Sequence, residues 1–196
     1  MFDGAPRYGQ ITAFLTGETD VVPPGITLEN DRPEFLYLGH TSLMGSSASV
    51  VSAAGTIASC GLFNLSKNSI GIVTLRRWSS SAVRSFFLRF FRGAGLPGGF
   101  SANASGPVDT RDSRLISPSG SQLVCAQAAL AAATGGQAFG IETSSVAFAM
   151  FEDREPIVLG PGTALIFEDQ AVGAQTLNVS WRWYERGARA EELAAL

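Results

Sequence analysis

Hydrophobic and polar positions alternate without a slip through Thr176-Leu-Asn-Val-Ser-Trp-Arg-Trp-Tyr-Glu185. Leu177, Val179, Trp181 and Trp183 share one face, and Thr176, Asn178, Ser180, Arg182 and Tyr184 share the other. A period of two over this length predicts a half-buried β-strand with both tryptophans on a core. Upstream, Pro156-Ile-Val-Leu-Gly-Pro-Gly-Thr163 supplies turn residues before a short apolar strand, Ala164-Leu-Ile-Phe167. Strand, turn, strand, loop, strand is the way an all-β sandwich closes.

Related patterns extend back through the chain. Phe35–Leu38 and Thr41–Met44 predict strands, followed by a small-residue stretch from Gly45 to Gly55. Thr56–Phe63 and Ile70–Trp78 predict two strands joined by Asn64–Ser69, whose Asn and Ser residues suit a hairpin turn. Val83–Phe91 predicts a strand that is aromatic on both faces, with Phe86, Leu88 and Phe90 on one and Phe87 and Phe91 on the other. One face suits the core, and the other needs cover from an arm or a neighbouring subunit. Residues 93 to 121 read as a connection longer than compact domains use without a functional reason or disorder. Alanine richness predicts a helix over Gln122–Ala133, ended by Gly135 and Gly136. A strand is expected at Val146–Phe151, and 186–196 reads as a short helix or a tail.

The chain therefore divides into an extended arm over 1–33, a β-sandwich over 34–185 and the terminal stretch. The arm carries Pro6, Pro23, Pro24 and Pro33, which forbid central strands and long helices. It also carries Tyr8, Ile11, Phe14 and Leu15, which are too apolar for a solvated tail. Tyr8 and Phe14 are accordingly candidate contacts with a partner, and the arm a candidate attachment device that adds to a neighbour's edge or groove.

Composition narrows the function classes. Among 196 residues, 45% are hydrophobic, enough for a core, and only 16% are charged against about 25% in a typical domain. A net charge of −3 disfavours nucleic acid as partner, because phosphate contacts need clustered Lys and Arg. No run reaches the roughly 18 apolar residues of a membrane span. The amino terminus lacks a basic and then apolar leader, so the expectation is a chain made in the cytoplasm. The Asn-x-Ser matches at Asn64, Asn103 and Asn178 are then chance.

Catalytic constellations are not evident. The single histidine, His40, has no Gly-x-Ser-x-Gly elbow to serve and no neighbouring metal ligands. Cys60 and Cys125 are far apart in sequence and read as two buried thiols, their pairing left open. Glu152-Asp153-Arg154-Glu155 and Glu168-Asp169 read as solvated turn carboxylates rather than a glycosidase pair. No cofactor or metal is expected, and the chain reads as a non-enzyme. Phe87 and Phe91 are candidates for packing against a second subunit. Arg182 and Tyr184 on the polar face of the last strand are candidates for subunit packing or for stacking on a sugar.

Two stretches carry a resemblance. Gly55-Thr-Ile-Ala-Ser-Cys-Gly-Leu-Phe-Asn-Leu-Ser-Lys-Asn-Ser-Ile-Gly-Ile-Val-Thr-Leu-Arg-Arg77 and the closing Pro156–Leu165 with Leu177–Glu185 resemble segments of jelly-roll-like bacteriophage and prophage virion proteins. The resemblance covers roughly 56–185. It implies an all-β jelly-roll or related two-sheet sandwich in the virion, decorating or cementing a capsid or forming the base of a short head spike or fibre. It also implies association as a homotrimer, with other virion proteins such as the major capsid protein as partners. The alternative expectation is a carbohydrate-binding receptor module of the virion that meets a host glycan.

Overall fold

A computed structural model describes residues 42–102, 109–110, 121–190 and 193, with the side chains of 42, 43, 109 and 110 excluded. The arm with Tyr8 and Phe14, the strand expected at Phe35–Leu38, and His40 lie outside the described residues. The strands in chain order are β1 (Ser42–Ser52), β2 (Ile57–Asn64), β3 (Ser69–Ser80), β4 (Ser85–Arg92), β5 (Ser101–Ala102) and β6 (Asp109–Thr110). They continue with β7 (Leu123–Leu130), β8 (Gln137–Thr143), β9 (Phe151–Asp153), β10 (Ile157–Leu159), β11 (Thr163–Asp169) and β12 (Gln175–Gly187).

These strands make two antiparallel sheets. One runs β10-β3-β12-β1-β6 with β9 also on β3, and the other runs β5-β7-β2-β11-β4-β8. The chain goes out through β1, β2, β3 and β4, changing sheet at each of the first three connections. It returns through β8, β9–β10, β11 and β12, each paired with its outgoing counterpart: β8 on β4, β9 and β10 on β3, β11 on β2, β12 on β1. That winding of one folded-over ribbon into two facing sheets is a jelly roll. The expected all-β sandwich is therefore the fold.

The inner faces meet in one aromatic core. Trp78 of β3 lies against Phe86 and Phe167 of the opposite sheet, with ring centroids 5.2 and 4.9 Å away, and stacks on Phe151 at 4.6 Å. Leu177, Val179, Trp181 and Trp183 of β12 all join this core, as their alternation requires. Phe86 and Leu88 of β4 do so too.

A second apolar cluster lies on the outer face of the β2–β11 sheet. Phe63, Ala126, Ala128, Ala164 and Ile166 are covered there by Phe100 and Leu96, with Phe63 and Phe100 edge to face at 5.2 Å. The long connection after β4 thus supplies its own cover. Phe91 packs on this cluster, so part of the second aromatic face of β4 is buried by the same chain rather than awaiting a subunit.

Four expectations are corrected. The alanine-rich segment is strand β7, not a helix: the small side chains let Ala126 and Ala128 pack under Phe63 and Phe100, and tertiary burial outweighs helix propensity. The small-residue stretch continues β1, whose Met44, Ala48 and Val50 alternate into the core. Asn64–Ser69 is not a hairpin turn but a corner between sheets, since β2 and β3 belong to different ones. The buried Asn64 amide donates to the carbonyls of Ser69 (2.8 Å) and Leu159 (3.1 Å) and accepts from the Ser66 amide and the Ser69 hydroxyl. Finally, the strand expected over Val146–Phe151 begins only at Phe151, and the preceding residues form a loop.

Candidate functional site

The connections β1–β2, β3–β4, β8–β9 and β11–β12 emerge at the same end of the sandwich, as a jelly-roll ribbon dictates. Hydrogen bonds tie them together. The Gly173 amide donates to Thr56 O (2.9 Å), Arg84 Nη1 to Val172 O (3.3 Å), the Ser144 amide to Arg84 O (2.8 Å) and the Phe148 amide to Ser80 O (2.7 Å). Gly173 leaves room for the Arg84 guanidinium, since a Cβ there would sit 1.9 Å from Arg84 Nη2 and displace it. The four loops therefore form one braced crown.

Six large apolar side chains face outward at this end, beside the exposed polar Ser145 and Gln170. Val146, Phe148 and Met150 are exposed on the β8–β9 loop, Val83 and Val172 on two others, and Val51 at the end of β1. Phe148 is 76% exposed and has a φ of +61°, the only non-glycine positive φ among the described residues. Such a conformation costs on the order of 1–3 kcal/mol and persists only where its surroundings hold it. The hydrogen bond to Ser80 and the Ser144 hydroxyl bond to Val146 O (2.9 Å) do so. A large apolar ring is thus held in solvent on strained backbone, and an exposed apolar group gains by being covered.

The residues singled out from sequence do not assemble into one site. Phe87 and Phe91 lie on β4, Arg182 and Tyr184 on β12 in the other sheet. Phe87 is half-buried with the Arg89 guanidinium 4.5 Å from its ring centre. Tyr184 is only 8% exposed and offers no free face for stacking on a sugar. The crown escaped sequence reading because Val-Ala-Phe-Ala-Met carries strand-like alternation with Ala at the intervening positions; only the preceding Ser144-Ser145 hints at a loop.

Of the carboxylates read as turn residues, Glu152–Glu155 does keep solvent contact at the connection between β9 and β10, whereas Glu168 and Asp169 are interior groups. Glu168 is fully buried; its Oε2 accepts from the Ser59 hydroxyl (3.2 Å), the Thr134 amide (2.8 Å) and the Thr134 hydroxyl. Arg89 Nε lies 3.0 Å from its Oε1, an ion pair set off the hydrogen-bond axis. Asp169 accepts from Gln175 Nε2, and burial pushes its carboxyl above the usual range despite the Ala171 amide and Arg84 nearby. Cys60 and Cys125 are both free and buried. Burial raises both thiols, Cys125 to about 12, which keeps them protonated and poorly nucleophilic. Among the described residues no group of three or more His, Cys, Asp or Glu is placed to hold a metal ion. These polar groups brace the fold at strand ends, whereas the crown is what the fold presents outward.

Comparison with family models, with curated proteins and with solved structures finds no match to this chain.

Proposed function

We propose that this chain is a non-enzymatic assembly protein of a bacteriophage particle, decorating or cementing the capsid or forming the base of a short head spike or fibre. The observation that carries the assembly reading is the crown: five apolar side chains on loops braced by hydrogen bonds, with Val51 at the end of β1 beside them, at one end of a jelly roll. A surface held rigid before contact loses little freedom on binding, so more of its apolar burial is realised as affinity. The virion context rests on the resemblance of residues 56–185, and the homotrimer on the same ground. Glycan recognition through Arg182 and Tyr184 is the weaker reading, since the tyrosine ring is covered.

Mass spectrometry of purified particles tests this by counting copies. We expect the wild-type chain to be a stoichiometric component. The triple variant Val146→Ser, Phe148→Asn, Met150→Ser should fall at least about tenfold in copy number, equal to the loss of about 1.4 kcal/mol of docking free energy. Asparagine is chosen because it tolerates the left-handed backbone, and unchanged far-UV circular dichroism would show that the variant is folded. A folded variant that loads normally would remove the crown from assembly, and the absence of the wild-type chain from particles would remove the virion context.

A further inference from the structure

A second surface, of different chemistry, lies along the edge where β8 faces β9 and β10. A cleft of about 530 Å³ opens there between the sheets, lined by Arg76, Phe90, Phe139, Glu142, Asp153 and Glu155 among others. Arg76 is 3% exposed and forms its floor. Its Nη2 donates to Glu142 Oε1 and Asp153 Oδ2, each at 2.6 Å, and its guanidinium lies 5.7 Å from the Phe167 ring centre. Nε and Nη1 are buried without a hydrogen-bond acceptor. One guanidinium thus serves both Glu142 and Asp153, which keep about a third of their surface in water. At the mouth, three carboxylates stand against one sequestered guanidinium. Beside them Phe139, 45% exposed, stacks on Phe90 at 4.3 Å.

The backbone here is also open. β8 pairs with β4 on one side and with nothing among the described residues on the other. Its sequence, Gln-Ala-Phe-Gly-Ile-Glu-Thr, has neither the Lys nor the Pro that commonly guards an edge. Its guards are the bulge opposite Leu88 and Arg89 and the inward-turned charge of Glu142.

We propose that this edge receives an extended segment of a partner protein, which adds to β8 as a further strand and places a lysine or arginine side chain in the cleft. Edge pairing supplies main-chain hydrogen bonds, and alternate side chains enter the adjoining pocket. A cation there meets the carboxylates and the face of the exposed aromatic pair, both of which attract it. A nucleic acid strand is repelled by the same carboxylates, and a neutral glycan leaves their charge uncompensated. This inference is independent of the virion reading and concerns a surface separate from the crown.

The test uses the ¹⁵N-labelled full chain and two acetylated, amidated peptides, Thr-Val-Thr-Lys-Thr-Val-Thr and the same sequence with Glu for Lys. The lysine peptide should shift amide resonances across residues 137–143 and 152–157, protect β8 amides from exchange, and bind more weakly as salt rises. The glutamate peptide should bind at least about tenfold more weakly. The single variants Glu155→Gln and Phe139→Ser, both at exposed positions, should each weaken the lysine peptide by several-fold, on the order of a surface charge or cation–π contact. Equal binding of the two peptides, shifts confined to the crown loops, or no shifts at all would overturn the proposal.

Discussion

The two long edges of the sandwich solve one problem in opposite ways. At the β1–β2 edge the long connection after β4 folds back and seals the structure: β6 adds to β1 and β7 adds to β2. Leu123 of β7 reaches the inter-sheet core over Gly71, where a Cβ would come within 2.4 Å of the leucine. Glu185 pins the start of this strand, accepting from the Gln122 amide, the Ser121 hydroxyl (3.0 Å) and Trp183 Nε1 (3.3 Å). At the opposite edge nothing equivalent is added among the described residues. β8 is bulged, β9 and β10 are split by Arg154–Pro156, and the sheets are joined by the Arg76–Glu142 ion pair. One edge is closed by apolar burial and pinned by Glu185. The other is closed by charge and keeps a cleft, and a closure made of partly hydrated charges responds to salt and to charged partners in a way that packed leucine does not.

Paired truncations test that difference. Leu123→Ala should cost about 4 kcal/mol, within the range for emptying a leucine site in a packed core. The loss should be the same at low and high salt. Arg76→Ala should cost about 3 kcal/mol, at the lower end for breaking a buried ion pair because both carboxylates can still hydrate. That loss should shrink in about 1 M salt, where the Debye length is about 3 Å and the wild-type pair is already weakened. Denaturant midpoints at unchanged slope give both values. A salt-independent loss for Arg76→Ala, or a salt-dependent one for Leu123→Ala, would mean that the edges do not differ in kind.

How much of this was legible in the sequence follows from where the physics is local. The strand β12 was readable because its core and solvent faces alternate from Gln175 to Trp183, whereas the burial of Tyr184 and Glu185 beyond the bulge at Arg182–Trp183 breaks that period. The aromatic β4 was readable for a related reason. Strand β7 was not, because alanine's local preference is helical and its burial under Phe63 and Phe100 is a long-range fact. Glu168 and Asp169 resembled a solvated turn because their partners Ser59, Arg89, Thr134, Arg84 and Gln175 come from other strands and connections. The crown needed four loops from four separate parts of the chain. The open-edge cleft needed β3, β8 and β9 together, and no spacing along the sequence encodes that meeting. The period of the chain marks what is packed, whereas the sites arise where separate segments end beside one another.

The smallest expected effect gives the finest view of the sealed edge. Cys60 on β2 and Cys125 on β7 flank the seam that the long connection closes, and both are buried. With the Cys125 thiol pushed up to about 12 by burial, almost no thiolate forms near neutral pH, and the sulfur is also shielded. A disulfide reagent applied to the native protein should therefore modify neither cysteine faster than the protein unfolds globally. A cysteine placed on the open edge by Ile141→Cys, where the native side chain is exposed, should react at once. Ordinary labelling of Cys125 with Cys60 still protected would mean that β7 peels away locally. In that event the sealed edge would be a latch rather than a wall, and the contrast between the two edges would reduce to one of degree.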